Sequence, residues 1–290
     1  MKSILTILLF SILFTANAQQ ETFFNQFWNN QTYYNPAFAG LEHKMQAGAM
    51  YRNQWDPVNG APIDIHAFYN MRLKDHWGAG INAQYGSIGF NDQVNISIPA
   101  SYQLHLNERN ILAFGAALGF NHLTTTGNFI PPETWNDPHL PTQGSQQHLS
   151  GHAGVAYDNS WITGSVSVRS VPIAQLGGGF GYQPVAHLYG MLRFKLNVAR
   201  PTNTKLFLEA NFGTDLVLPA LQTNARFLFN NKLSVFGGID WTNGVLLGGG
   251  YDLYRKFRLN YSLTMIRNNL SQVTNFTHEF AFVCTLGLNE

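Results

Sequence analysis

The sequence holds ten histidines, enough to prompt a search for metal chemistry, and His148 and His152 are the pair closest in sequence. On an extended strand, residues four apart point the same way but lie about 13 Å from each other, too far to share one ion. A metal would need ligands from neighbouring strands, so polar histidines facing a wet interior are the simpler reading. Asp64 and Glu209 are the carboxylates most open to acid–base work, but their segments also carry Arg and Lys, which makes ion pairing the plainer expectation. The Gly177–Gly181 run lacks the Lys-Ser/Thr of a phosphate loop, and no Gly-x-Ser-x-Gly element occurs. The residue types therefore point away from an enzyme, and no cofactor or metal is expected.

The polypeptide around these residues has an export signal at its start. Lys2, the apolar run Ile4–Phe14 and Ala16-Asn17-Ala18 form a secretory signal over residues 1–18, too short to span a bilayer as a helix. Removing it leaves a chain expected to start at Gln19, with sixteen basic and sixteen acidic residues. A neutral balance excludes the basic face of a nucleic-acid binder. The single cysteine, Cys284, excludes an intrachain disulfide framework. Charged residues make up 11% and aromatics 14% of the chain, yet mean hydropathy is only −0.11. Few charges and many aromatics, with no long apolar run after the signal, fit a transmembrane β-barrel.

Periodicity supplies the elements. In the last segment Phe276, Phe280, Phe282 and Leu286 alternate with Thr277, Glu279, Ala281 and Val283, which gives one apolar and one small or polar face. About fourteen such segments are predicted, near 43–52, 63–73, 77–86, 92–105, 110–120, 148–157, 161–169, 183–197, 204–213, 219–229, 232–240, 244–253, 256–267 and 276–288. Most have the length a tilted strand needs to cross a membrane, and an even number suits a closed antiparallel barrel. Every second connection is tight, as at Lys74-Asp75-His76 and Asn230-Asn231, whereas 53–62, 121–147, 170–182 and 268–275 read as longer loops. Short periplasmic turns opposite long surface loops place both termini on the periplasmic side. Tyr51, Trp55, Trp77, Trp161, Trp241 and Tyr254 gather at strand ends, where interfacial girdles sit.

A fourteen-stranded barrel would measure on the order of 28 Å across its backbone, more than strand side chains alone fill. Residues 19–42 carry seven aromatic side chains from Phe23 to Phe38, too many for a solvated tail. This segment is predicted to be ordered, as a lumen plug or a periplasmic cap, ahead of a barrel over 43–290.

Residues 27–40 read FWNNQTYYNPAFAG, followed by Arg52-Asn53-Gln54-Trp55 and Gly60-Ala61-Pro62. These three pieces in this order resemble the PorP/SprF family of type IX secretion outer-membrane proteins. The resemblance implies a Gram-negative outer-membrane barrel, embedded in membrane lipid, that partners a secreted surface protein or gliding adhesin. It would bind that protein's type IX C-terminal domain for export or retention, and link to periplasmic secretion or motor components. Asn35, Pro36, Gly40, Arg52, Gln54, Trp55, Gly60 and Pro62 are the motif residues and the candidate partner-binding set. The first loop then reads either as part of a docking surface or as a brace, with Arg52 and Gln54 supporting the lumen wall and Gly60 and Pro62 shaping the turn. The alternative function is a channel or transporter for small hydrophobic or polar solutes.

Overall fold

Period-two alternation closes this chain into a barrel because every backbone N–H and C=O in a bilayer must be paired within the protein. The computed structural model describes residues 21–125, 144–178, 184–199, 201–254 and 256–288. The signal at 1–18, the Pro131–Pro141 excursion and most of the Gly177–Gly181 run lie outside these residues. The strands are β1 (His43–Asp56), β2 (Ile63–Lys74), β3 (Trp77–Ile88), β4 (Asn91–Asn107), β5 (Asn110–Thr125), β6 (Gly144–Asp158) and β7 (Ile162–Gly177). There follow β8 (His187–Ala199), β9 (Thr204–Thr214), β10 (Pro219–Phe229), β11 (Leu233–Asp240), β12 (Gly244–Leu253), β13 (Phe257–Ile266) and β14 (Phe276–Leu288). Each pairs antiparallel with its sequence neighbours, and β14 closes on β1 with Met45 opposite Leu286 and Arg52 opposite Glu279.

The two faces are inverted relative to a soluble protein. Outward side chains such as Ile98 (60% exposed) and Val166 (66%) present an apolar band, while Asp64, His66, Glu209 and Glu279 are buried within. Trp77, Trp161, Trp241 and Tyr254 are exposed at strand ends, whereas Tyr51, expected there, is exposed within β1, which runs on to Asp56.

One barrel end carries the tight turns, the entry into β1 at His43 and the end of β14 opposite it, and is called the turn end below. Glu21, the first described residue, lies instead inside the lumen beside Arg169, Ser170 and His187, which departs from the expectation that the N-terminus sits at the turn end. The opposite, loop end departs from the expected pattern. Its connections at 57–62 and 267–275 are extended, but Gly89–Phe90, 215–218 and 241–243 are tight too. Asp215 and Asp240 explain two of them, each accepting two backbone N–H groups into a side-chain-closed turn. A second departure is β7, which runs to Gly177 instead of ending near 169. Beyond Arg169 it pairs with β6 alone among the described residues, through a ladder broken by register shifts. Ser170, at φ 56°, marks the point where it leaves the barrel wall.

Residues 21–42 lie inside the barrel, in three single-turn 3-10 helices at Phe27–Asn29, Gln31–Tyr33 and Pro36–Phe38. Phe24, Phe27, Trp28, Tyr33, Tyr34 and Phe38 form the buried core with lumen-facing wall residues. Trp28 meets Phe236 edge-on at 4.8 Å, and Tyr34 meets Tyr189 at 5.3 Å.

Candidate functional site

The inner segment is held to the wall by its own backbone. The amides of Asn25 and Gln26 donate to the two oxygens of Glu279 on β14, at 2.8 and 2.9 Å. Arg72 on β2 donates to the Gly40 and Leu41 carbonyls, both at 3.0 Å. On β4, Ser101 donates to the Ala39 carbonyl at 2.6 Å, and on β7 Ser167 donates to Tyr34 at 2.8 Å. Such bonds satisfy backbone groups that have no ladder partner in an irregular segment.

Ion pairs fix both ends. Glu21 meets Arg169 at 3.1 Å and accepts from Tyr189 at 2.9 Å and from Ser170. Burial pushes the Glu21 carboxyl up, but Arg169 and His187 overcome it and hold it at about 2. Glu42 meets Arg193 at 2.8 Å, and burial there is likewise outweighed by Arg193 and Lys195, which hold the carboxyl at about 2. Arg193 and Arg226 both bind the buried Glu209, at 2.8 and 2.9 Å, which is the ion pairing expected for that carboxylate. Asp64 differs. It accepts hydrogen bonds from Thr22 at 2.6 Å and Gln84 at 3.0 Å, while Arg52 stands opposite it in register. His148 and His152 both face inward, and His152 accepts from Arg169 and from the Ser170 amide.

Above this segment, toward the loop end, a vestibule of about 590 Å³ is floored by Glu21, Thr22, Phe23 and Tyr33. Its walls include Arg52, Gln54, Trp55, Pro62, Gln84, Gln93, Asn95 and Asn121.

The family model described as type IX secretion system membrane protein PorP/SprF matches residues 16–283. The chain belongs to this family. It is thus an outer-membrane β-barrel of the type IX secretion system. No curated protein matches it in sequence. Among solved structures it is similar to the CymD monoaromatic hydrocarbon channel, with TM-score 0.54, 10% identity, and 90% of this chain and 94% of that one covered. A Pseudomonas aeruginosa FadL homologue gives TM-score 0.51, 9% identity and coverages of 87% and 92%. Against CdiB from Acinetobacter baumannii the TM-score is 0.47 at 9% identity, with 84% of this chain covered and only 60% of that one. At such identities these likenesses describe the barrel fold alone.

In this PorP/SprF barrel the eight motif residues divide between two places. Asn35, Pro36 and Gly40 belong to the inner segment. Asn35 caps the Pro36–Phe38 turn, accepting from the Ala37 amide at 2.9 Å, and donates to the Val155 and Val166 carbonyls at 3.1 Å. Gly40 has φ 64° and lies so close to β2 that a Cβ would meet the Met71 carbonyl oxygen at 2.7 Å. Arg52, Gln54, Trp55 and Pro62 line the vestibule. Arg52 is buried in the wall, whereas Trp55 is half-buried inside the mouth rather than in the outer girdle. Gly60, at φ 73°, shapes the loop and accepts from the Gly89 amide at 2.9 Å, tying the first loop to the second. Sequence reasoning missed Glu279, Arg72 and the wall glycines as anchors. Glu279 could have been singled out as a carboxylate at lumen parity on an otherwise small-residue face. The glycines Gly78, Gly115 and Gly154 carry no such signal.

Proposed function

We propose that this PorP/SprF barrel holds the type IX C-terminal domain of an exported surface protein, an adhesin among them, during export or at the cell surface. The loop end faces outward and receives that domain at the vestibule. The turn end, where β14 ends, faces the periplasm and meets periplasmic secretion or motor components. The signal at 1–18 is removed, and residues 19–42 act as the plug. The carrying observation is that residues 21–42 fill the lumen beneath the vestibule, anchored on β2, β4, β7, β8 and β14. A cup with a bound floor suits holding a partner better than passing a solute.

Purification from outer membranes in mild detergent tests this. Co-purification of a surface protein bearing a type IX C-terminal domain is the expected result, with no stable single-channel conductance from the isolated barrel. A lone barrel with steady conductance would replace this reading by the channel.

A further inference from the structure

The turn end carries a charge imbalance that the anchoring of the inner segment does not use. Deeper in the lumen the cations are matched: Arg193 and Arg226 share Glu209, and Arg193 also meets Glu42. At the rim from β2 to β8 the charges balance too, with Lys74 beside Asp75, Arg109 beside Glu108, and Lys195 on Asp158 at 2.5 Å. From β9 to β13 they do not. Lys205 on β9, Lys232 in the β10–β11 turn and Lys256 in the β12–β13 turn make no ion pair among the described residues. Asp252, the acid of this arc, is already held by Arg258 at 2.7 Å. In sequence the same connections add Arg200 and Arg255, against Glu290 beyond β14.

Neighbouring strands lie about 4.8 Å apart, so the arc from β9 to β13 runs about 19 Å along the rim. One phosphate or carboxylate cannot meet three cations over that span, but a chain bearing several carboxylates can. Parity shows which way the arc faces. Lys205 continues the inward parity of Glu209, Lys232 that of Ser234, and Lys256 that of Asn260, all three of them buried. Outward residues at the same level are apolar and exposed, among them Val198, Phe229, Leu233 and Phe257. A lipid headgroup would approach from that apolar side, whereas the lysines border the aqueous mouth of the barrel. We infer that the rim from β9 to β13 is a docking surface for an acidic segment of a periplasmic protein. Carboxylates of the segment meet Lys205, Lys232 and Lys256, and the charge-balanced half from β2 to β8 confines it to one side of the mouth. Exposed ion pairs add little affinity each, so the arc supplies faster encounter and a choice of partner by sign. This inference rests on the turn end facing the periplasm, as proposed above, and specifies the chemistry of what is met there.

The test replaces Tyr254, which is 84% exposed in the same turn as Lys256, by a photo-cross-linking phenylalanine analogue. The full chain is expressed in cells with the intact secretion system, and adducts are mapped by mass spectrometry. The expected result is capture of a periplasmic protein through a stretch rich in Asp and Glu. Lys232→Glu combined with Lys256→Glu should lower that capture about tenfold, within the range that electrostatic steering spans. Lys232→Arg combined with Lys256→Arg should keep it, as should Lys74→Glu on the balanced half. Gel mobility with and without heating reports that each variant still folds. Capture of a stretch without an acidic excess, or capture unchanged by the paired Glu variant, would overturn the inference. So would adducts only of lipid or saccharide mass, adducts only to this chain, or none. The orientation beneath it is checked separately with Lys232→Cys in a Cys284→Ala chain. A membrane-impermeant maleimide is expected to label it only after the outer membrane is permeabilised. Labelling of intact cells would sink the periplasmic reading of the turn end, and the docking surface with it.

Discussion

Asn35 caps a turn with its side-chain oxygen and reaches two wall carbonyls with its nitrogen. Asn35→Ala should therefore cost about 2–3 kcal/mol, the sum of a lost cap and buried carbonyls left unpaired. The loss would be read as a lower heat-modification temperature on gels. The wall at this point has no side chain to give way. A Cβ on Gly115 would meet the Ala37 amide nitrogen at 2.1 Å, and one on Gly78 the Ala39 carbonyl oxygen at 1.9 Å. Gly115→Ala is expected to lift the Pro36–Phe38 turn off β5 and β6 at a cost of about 1–3 kcal/mol. Proteolysis within 21–42 of the membrane-embedded protein, absent in the parent chain, would reveal it; cleavage of the parent itself would argue against a seated segment. The Asn-Pro-Ala-Phe-Ala-Gly motif is thus explained by fit to the wall, whatever else it does.

At the scale of elements, the inner segment is clamped by Glu21 and Glu42, both held at about 2 against an ordinary 4.5. Because folding lowers these values, their contribution is complete above about pH 4.5 and is lost as pH falls through about 2. Pepsin digestion should accordingly leave residues 21–42 intact near pH 4.5 and cut them progressively toward pH 2. The strands themselves were legible because apolar and polar faces alternate all along them, as in Leu206, Leu208 and Phe212 against Lys205, Glu209 and Asn211. The extension of β7 was not, since Pro172 and the register shifts break its alternation. The tightness of the Gly89–Phe90 link was hidden because β3 and β4 both run past their predicted ends, whereas the 241–243 link follows from the predicted segments themselves. Of the candidate site, the motif pieces were readable as a set. Their division into an anchor and a vestibule wall depends on contacts between residues more than a hundred positions apart, such as Asn35 with Val155.

For the whole molecule, the exposed apolar exterior and the polar lumen define its solvent. Val166→Arg, on the lipid face of β7, should cost about 2–4 kcal/mol if it sits at the midplane. Refolding into bilayers of varied denaturant content measures that cost, and an unchanged folding midpoint would place Val166 outside the hydrocarbon. Glu279 holds two backbone amides from residues that begin the described chain, yet it lies on the strand that ends it. Side chains alternate across a strand, so a slip of one residue where β14 meets β1 would turn Glu279 toward lipid and leave Asn25 and Gln26 without acceptors. The inner segment thereby works as a gauge of closure: only a barrel sealed in the correct register can seat it. Chains lacking residues 21–42 should seal in several registers and run as multiple folded bands, where the intact chain gives one.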